Sequence, residues 1–347
     1  MNEKIIYLDN AASTPIRPEA IDAMTTVLSD CYGNPSGAHK MAREARRLID
    51  DARDTLSHGL GCDPKEIIFT AGGTEADNLA IFGIQGSRDG TILASVTDHH
   101  AVIAPVEQLE GEFIQVNESG LLDLDHLAHL LDENVALVSV GLVNGETGII
   151  QDLEPIAEIV RSKAPKALIH TDAVQAAGKL SLDVKELGVD LMTISGHKFH
   201  GPKGTGLLYV KKGVPMSPII VGGGQERQRR SGTENVPGIV GLAKALELAD
   251  SSKHLFNEHC KELIEYLRQK LSNFEYNHVI VTPEVNSLSN ILNVCFNNFE
   301  GEPILIGLDM AGICASSGSA CSSASLEPSH VLIAQGIDPK IAVSSIR

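Results

Sequence analysis

Positive charge is scarce in this chain: 28 lysines and arginines face 45 aspartates and glutamates, a formal net charge of −17 at pH 7. A general nucleic-acid binder is excluded, because neutralising a phosphate backbone takes a concentrated Lys/Arg face. The short basic run Arg227, Arg229 and Arg230 is too small to change that. It reads as a solvated loop, or as a spot that meets an anion or an acidic partner. Paired cysteines are missing too. The six cysteines, at 31, 62, 260, 295, 314 and 321, contain no CxxC pair and no zinc-like spacing, so neither a disulfide framework nor a resident metal is expected. Long apolar runs are also absent: Val135 to Val143 is too short to span a bilayer, and Met1 to Tyr7 has neither a basic n-region nor an apolar h-region. A chain with no membrane span, lying in a reducing cytoplasm where free thiols survive, is expected.

What is present is the composition of an ordinary globular protein, 43% hydrophobic and 21% charged over 347 residues, with no low-complexity tract and no evident repeat. That length suits one large and one smaller domain. Short apolar runs alternate with helical patterns: Glu66–Thr70, Thr91–Ser95, Val135–Val140, Ala167–His170 and Leu191–Ile194. Near-continuous apolar strands between helices predict a mostly parallel sheet covered on both faces, with ligands at the carboxyl ends of its strands. A polar helical stretch from about Leu242 to Leu271 then leads to a second strand-rich segment that includes Ile291–Phe296.

The chemistry-bearing motifs fall at those strand ends. Gly72-Gly73-Thr74 follows the first run, His99 the second, Asn144 the third, Asp172 the fourth, and Ser195-Gly196-His197-Lys198 the fifth. The glycines let the backbone approach an anion, Thr74 is expected to cap the next helix, and Asp77 to complete a capping box. Without a ligand this would be an ordinary capped helix, and Asp172 an ordinary cap. Taken together, Asp172, Gln175, Ser195, His197 and Lys198 suggest a pyridoxal phosphate site. That cofactor needs an amine for a Schiff base, a carboxylate to keep its ring nitrogen protonated, and donors for its phosphate. His99 would supply a ring-stacking or proton-shuttling imidazole.

At this point the chain resembles the cysteine desulfurases of the class V aminotransferase type. The resemblance runs from Tyr7-Leu8-Asp9-Asn10-Ala11-Ala12 through Tyr32-Gly33-Asn34-Pro35-Ser36 and Arg230-Ser231-Gly232-Thr233 to Ser316-Ser317-Gly318-Ser319-Ala320-Cys321-Ser322-Ser323. It implies the pyridoxal-phosphate-dependent transferase fold of aspartate aminotransferase type I, an α/β architecture. A large domain with a mostly parallel seven-stranded sheet (residues 16–245) would carry a smaller α/β domain (246–347), with residues 1–15 packed against the latter. It also implies that Lys198 holds the cofactor and removes the substrate Cα proton, that Asp172 keeps the ring cationic, and that Gln175 bonds the ring hydroxyl. Gly73, Thr74, Ser195 and His197 would hold the phosphate, with Thr233 reaching over from a second subunit of a homodimer. Cys321, in a run of Ser, Gly and Ala too small to pack a core, would be the thiolate that takes sulfur from L-cysteine as a persulfide. From there the sulfur passes to an acceptor protein for iron–sulfur cluster assembly or tRNA thiolation, Cys321 touching a cluster only during transfer.

Two positions depart from that pattern. The family reads Asn-Asn-Glu where this chain has Asn144-Gly145-Glu146, so either Asn144 or a water compensates for the missing amide, or the ring and substrate are held more loosely. Ser344-Ser345-Ile346-Arg347 matches the start of the segment whose arginine grips the substrate carboxylate, with Asn34 as a second substrate contact. As a terminal residue, Arg347 is expected to fray and to pair with its own α-carboxylate, weakening cysteine binding. The alternatives that remain are a selenocysteine lyase or cysteine β-lyase on the same scaffold, and a non-catalytic homologue.

Overall fold

A computed structural model describes residues 5–318 and 327–347 of the chain. In chain order its strands are β1 (Ile6–Tyr7), β2 (Ile67–Thr70), β3 (Thr91–Ser95), β4 (Glu112–Ile114), β5 (Val135–Ser139), β6 (Leu168–Asp172), β7 (Leu191–Ser195), β8 (Gly206–Val210), β9 (His278–Ile280), β10 (Val294–Phe296), β11 (Ile313–Cys314) and β12 (Ser345–Ile346). Seven of them form the central sheet in the order β2-β8-β7-β6-β5-β3-β4. Strands β4, β3, β5, β6 and β7 are parallel, and β8 runs antiparallel to both of its neighbours. β2 therefore points the same way as β7, and the carboxyl ends of β2, β3, β5, β6 and β7 open on one edge.

The central strands are buried on both faces, and apolar residues dominate them at successive rather than alternate positions. Along β2 the pleat sends Ile67 and Phe69 into one apolar cluster, with Ile49, Leu56, Leu242 and Leu246, and Ile68 into the opposite one, with Leu79, Ile84, Val102 and Val106. The long helix Val236–Ser272 begins earlier than the polar stretch expected from about Leu242. Asn235 caps it by accepting the Gly238 N–H at 3.1 Å. Its first turns bury Val236, Ile239, Leu242 and Leu246 against the large part, whereas Leu255, Leu263 and Tyr266 further on are exposed.

Beyond that helix lies a three-stranded antiparallel sheet, β12-β10-β9, and β1 pairs in parallel with β11. β10 starts at Val294, shorter than the run Ile291–Phe296 suggests. The basic run at 227–230 does not lie free in water as expected. Arg230 is paired with Glu75 at 2.7 Å, and the Arg227 guanidinium donates to the Ile67 carbonyl. No helix among the described residues is long and apolar enough to cross a membrane.

Candidate active site

The five strand ends surround a cavity of about 410 Å³ lined by Gly73, Thr74, His99, Asn144, Asp172, Gln175, Ser195, His197, Lys198 and Arg347. Lys198 ends a single 3-10 turn, Gly196–Lys198, directly after β7. The turn needs glycine at 196, because a Cβ there would stand 2.9 Å from Leu242 Cδ1 and 3.0 Å from the Pro202 carbonyl oxygen. Lys198 Nζ donates to the carbonyls of Ala11 at 2.6 Å and Ala12 at 2.9 Å. Gln175 Nε2 donates to the same Ala11 oxygen at 2.8 Å, so one main-chain carbonyl gathers both side chains.

Asp172 closes β6, and one carboxylate oxygen accepts the Val174 N–H at 2.8 Å. Burial raises its carboxyl, opposed by that hydrogen bond and by its neighbours His99 and Lys198. His99 caps the helix His100–Gln108: its Nδ1 accepts the Ala101 N–H at 3.0 Å, which leaves the proton of the neutral ring on Nε2. Burial keeps that ring neutral by lowering its affinity for a second proton. His197, its Nδ1 3.3 Å from Ser13 Oγ, is pushed down to about 4 by burial and then by Lys198 and Lys203.

The helix Gly73–Gln85 is not capped as expected. Its N-cap is Gly72, which has no side chain to offer, and Thr74 sits inside the first turn. Asp77 is buried, 1% exposed, and turned toward the sheet, with Oδ1 3.7 Å from His170 Nε2. The first-turn N–H groups of this helix are thus left without a side-chain cap at the cavity wall, the arrangement that suits an anion.

Pyridoxal phosphate fits these residues. The amine of Lys198, the desolvated carboxyl of Asp172 and the uncapped helix end match the cofactor's aldehyde, ring nitrogen and phosphate in chemical type, and Gln175 Oε1 is buried with no hydrogen-bond partner among the described residues.

Other expected residues stand elsewhere or are already engaged. Asn144 lines the cavity, but its Oδ1 accepts from Glu146 N, Thr147 N and Thr147 Oγ1, and its Nδ2 donates to the Thr97 carbonyl. A Cβ at Gly145 would lie 3.1 Å from Gln175 Nε2, so the glycine leaves Gln175 its position. Asn34 is exposed, and its Oδ1 accepts the Ser36 N–H at 2.9 Å; within this chain neither it nor Thr233, also exposed, lines the cavity.

Arg347 is not frayed. Its main chain exchanges hydrogen bonds with Ser316 at 2.7 and 3.3 Å, and among the described residues its ion-pair partner is Asp9, at 2.8 Å, rather than its own α-carboxylate. A second guanidinium nitrogen donates to the Gly145 carbonyl at 2.9 Å. Cys321 lies outside the described residues. Both flanks of its segment adjoin the cavity: Gly318 lines it, and Ser329 Oγ lies 2.5 Å from the carboxylate of the lining residue Glu146. The other thiols are disfavoured as thiolates where burial acts on them, Cys62 being pushed up to about 12 and Cys295 to about 11.

Sequence reasoning assigned no chemistry to Ala11, Ala12, Asp9 or Asp98. The first two act through carbonyls, which no side-chain pattern reveals. Asp98 Oδ1 accepts the Gly141 N–H at 2.7 Å and so ties the loop after β3 to the loop after β5. Its neighbour His99 was the only available signal.

A parallel sheet with lysine and aspartate at adjacent strand ends defines the pyridoxal-phosphate-dependent transferase architecture. The chain belongs to the class V aminotransferase family, whose family model matches residues 6–345. It is similar to cysteine desulfurase IscS of Methanosarcina thermophila, at 43% identity over 352 residues covering 99% of this chain and 86% of that one. A solved structure described as a NifS-like protein superposes with a TM-score of 0.93 at 37% identity, covering 99% of this chain and 93% of that one. A structure of SspA in complex with cysteine superposes with a TM-score of 0.85 at 33% identity, covering 99% and 97%.

Proposed function

We propose that this chain is a cysteine desulfurase that converts L-cysteine to L-alanine and retains the sulfur as a persulfide on Cys321. The reading rests above all on the convergence of Lys198, Asp172 and Gln175 on one cavity, next to both flanks of the Cys321 segment. Pyridoxal phosphate, when bound, supplies the electron sink that makes a Cα proton removable. Lys198 would hold it through Nζ and take the substrate's Cα proton. Asp172 would face the ring nitrogen and keep it protonated, the desolvated carboxyl gaining a cation as partner. Gln175 Oε1 would meet the ring hydroxyl. Ser195, His197, Thr74 and the Gly73 N–H would meet the phosphate, helped by Thr233 of a neighbouring subunit.

Arg347 would orient the substrate carboxylate with its forked guanidinium. His99, neutral and protonated on Nε2, would move a proton to or from the substrate thiol. The Cys321 thiolate would then attack the substrate sulfur. An S–S bond forms as the Cβ–S bond breaks, the bonding pair stays with Cβ, and Cβ takes a proton to become the methyl group of alanine. In this reading residues 16–245 form the cofactor-holding part and 246–347 the smaller part, with 1–15 joined to the latter through the pairing of β1 with β11. A homodimer in the cytoplasm that hands its sulfur to an acceptor protein completes the proposal.

The test is mass analysis of the cofactor-loaded protein after L-cysteine without reductant, alongside alanine release. One added sulfur on the Cys321 peptide, matched by alanine, is expected, and Cys321→Ala should lose both. Undiminished sulfide release by Cys321→Ala would replace the persulfide route with a β-lyase.

A further inference from the structure

A second lysine stands behind the first. Lys179 is 6% exposed and belongs to the turn that follows Asp172 and Gln175. It lies in the wall of a second, mostly apolar cavity that Lys198 also lines, and not in the wall of the cavity described above. Its Nζ donates to the main-chain carbonyl of Gln175 at 2.9 Å and to that of Lys198 at 3.3 Å. The turn that delivers it passes through Gly178 at φ +71°, where a Cβ would stand 2.6 Å from Ala249 Cβ. The carbonyl of Lys179 in turn accepts from Asn257 Nδ2 at 2.8 Å. An ammonium taken out of water is costly, and here it sits beside another lysine. Burial, then the charge of Lys198, pushes it down to about 8.

We propose that Lys179 is a positioning residue for Lys198. Its ammonium clamps the Gln175 and Lys198 main chains together, so that both side chains reach the Ala11 carbonyl, and it sets a positive charge against the main chain that carries Lys198. The other titratable groups that act on or feel Lys198 are Asp172, His99 and His197, and those around Lys179 are Cys260 and His200. None of these replaces the clamp, because the two carbonyl contacts belong to Lys179.

The inference rests on the reading that Lys198 links the cofactor, so the experiment begins there. Pyridoxal phosphate added to the unaltered protein should give the visible band of a lysine-linked cofactor, whose pH titration reports the proton on the linking nitrogen. No such band in the unaltered protein would overturn the cofactor reading itself. Given the band, Lys179→Gln keeps a neutral donor for the two carbonyls, and Lys179→Met removes both donor and charge. In each, loss of a neighbouring cation should move the titration midpoint upward by about one pH unit, a tenfold gain in proton affinity. Lys179→Met should in addition lower kcat more than it raises KM. Lys179→Arg, which keeps the charge, should leave the midpoint near that of the unaltered protein. If Lys179→Met does not fold, Lys179→Gln alone decides the matter: a folded, cofactor-bearing Lys179→Gln with an unmoved midpoint overturns the proposal.

Discussion

His170 is an imidazole enclosed by the sheet, 0% exposed, with Nδ1 2.9 Å from Ser139 Oγ and Nε2 3.1 Å from Thr193 Oγ1. Burial pushes its pKa down to about 3. Asp77, whose Oδ1 stands 3.7 Å from Nε2, is raised well above the usual carboxylate range by burial and then by Asp172. The contact therefore joins two groups whose charged forms burial disfavours. Below pH 6.5 the unfolded chain protonates this histidine, while the folded one resists until about pH 3. Its stabilising contribution is thus complete above pH 6.5 and is lost as the pH falls through that window. His170→Gln should flatten the acid-side slope of unfolding free energy between pH 4 and 6 by about 1.4 kcal/mol per pH unit, measured by urea denaturation at each pH. An unchanged slope would mean that His170 is protonated in the fold. Lys198 and Asp172 were legible as site residues because each directly follows an apolar strand run. Asp77 was not, because its position after Thr74 looks the same whether it caps its own helix or turns toward the neighbouring strands.

The segment leading to Thr233 is fastened by one buried ion pair. Arg53 and Glu226, each 6% exposed, meet through two contacts at 2.7 and 3.1 Å. Glu226 also accepts the Phe69 N–H at 3.1 Å, and Arg53 donates to the Ile67 carbonyl at 2.6 Å while lying 4.4 Å from the centre of the Phe69 ring. Residues 226–228 all take left-handed backbone angles, φ 46°, 58° and 66°, which non-glycine residues adopt only when their surroundings hold them. Glu226→Ala would strand the guanidinium and release that backbone, at a cost of about 3–5 kcal/mol. Chemical denaturation checks this, and a loss near zero would show that the pair holds nothing. The sequence offered only a basic run here. The partner of Arg230, Glu75, cannot be paired with it by spacing, since it is 155 residues away.

For the molecule as a whole, the parallel part of the sheet was readable because strands buried on both faces leave continuous apolar runs. β4, with three residues, left too short a run to single out, and nothing in Gly206–Val210 signals that β8 runs against its neighbours. If Thr233 serves the site of a neighbouring subunit, Thr233→Ala should weaken cofactor binding about tenfold. Mixing Thr233→Ala with Lys198→Ala subunits should then rebuild one intact site per mixed dimer, read as activity above that of either parent. No gain on mixing, with mixed dimers confirmed by native mass spectrometry, would confine Thr233 to its own subunit.

Asp9 and Arg347 join across 338 positions of sequence, at the wall of the same cavity that the Ala11 and Ala12 carbonyls help to build. During synthesis the central sheet can close once β8 has left the ribosome, yet the cavity wall that Arg347 supplies must wait for that residue to emerge. A nascent chain stalled before that point would already carry Lys198 but lack the guanidinium proposed to orient cysteine. Cofactor capture and substrate competence would thus be acquired at separate moments in the life of one polypeptide.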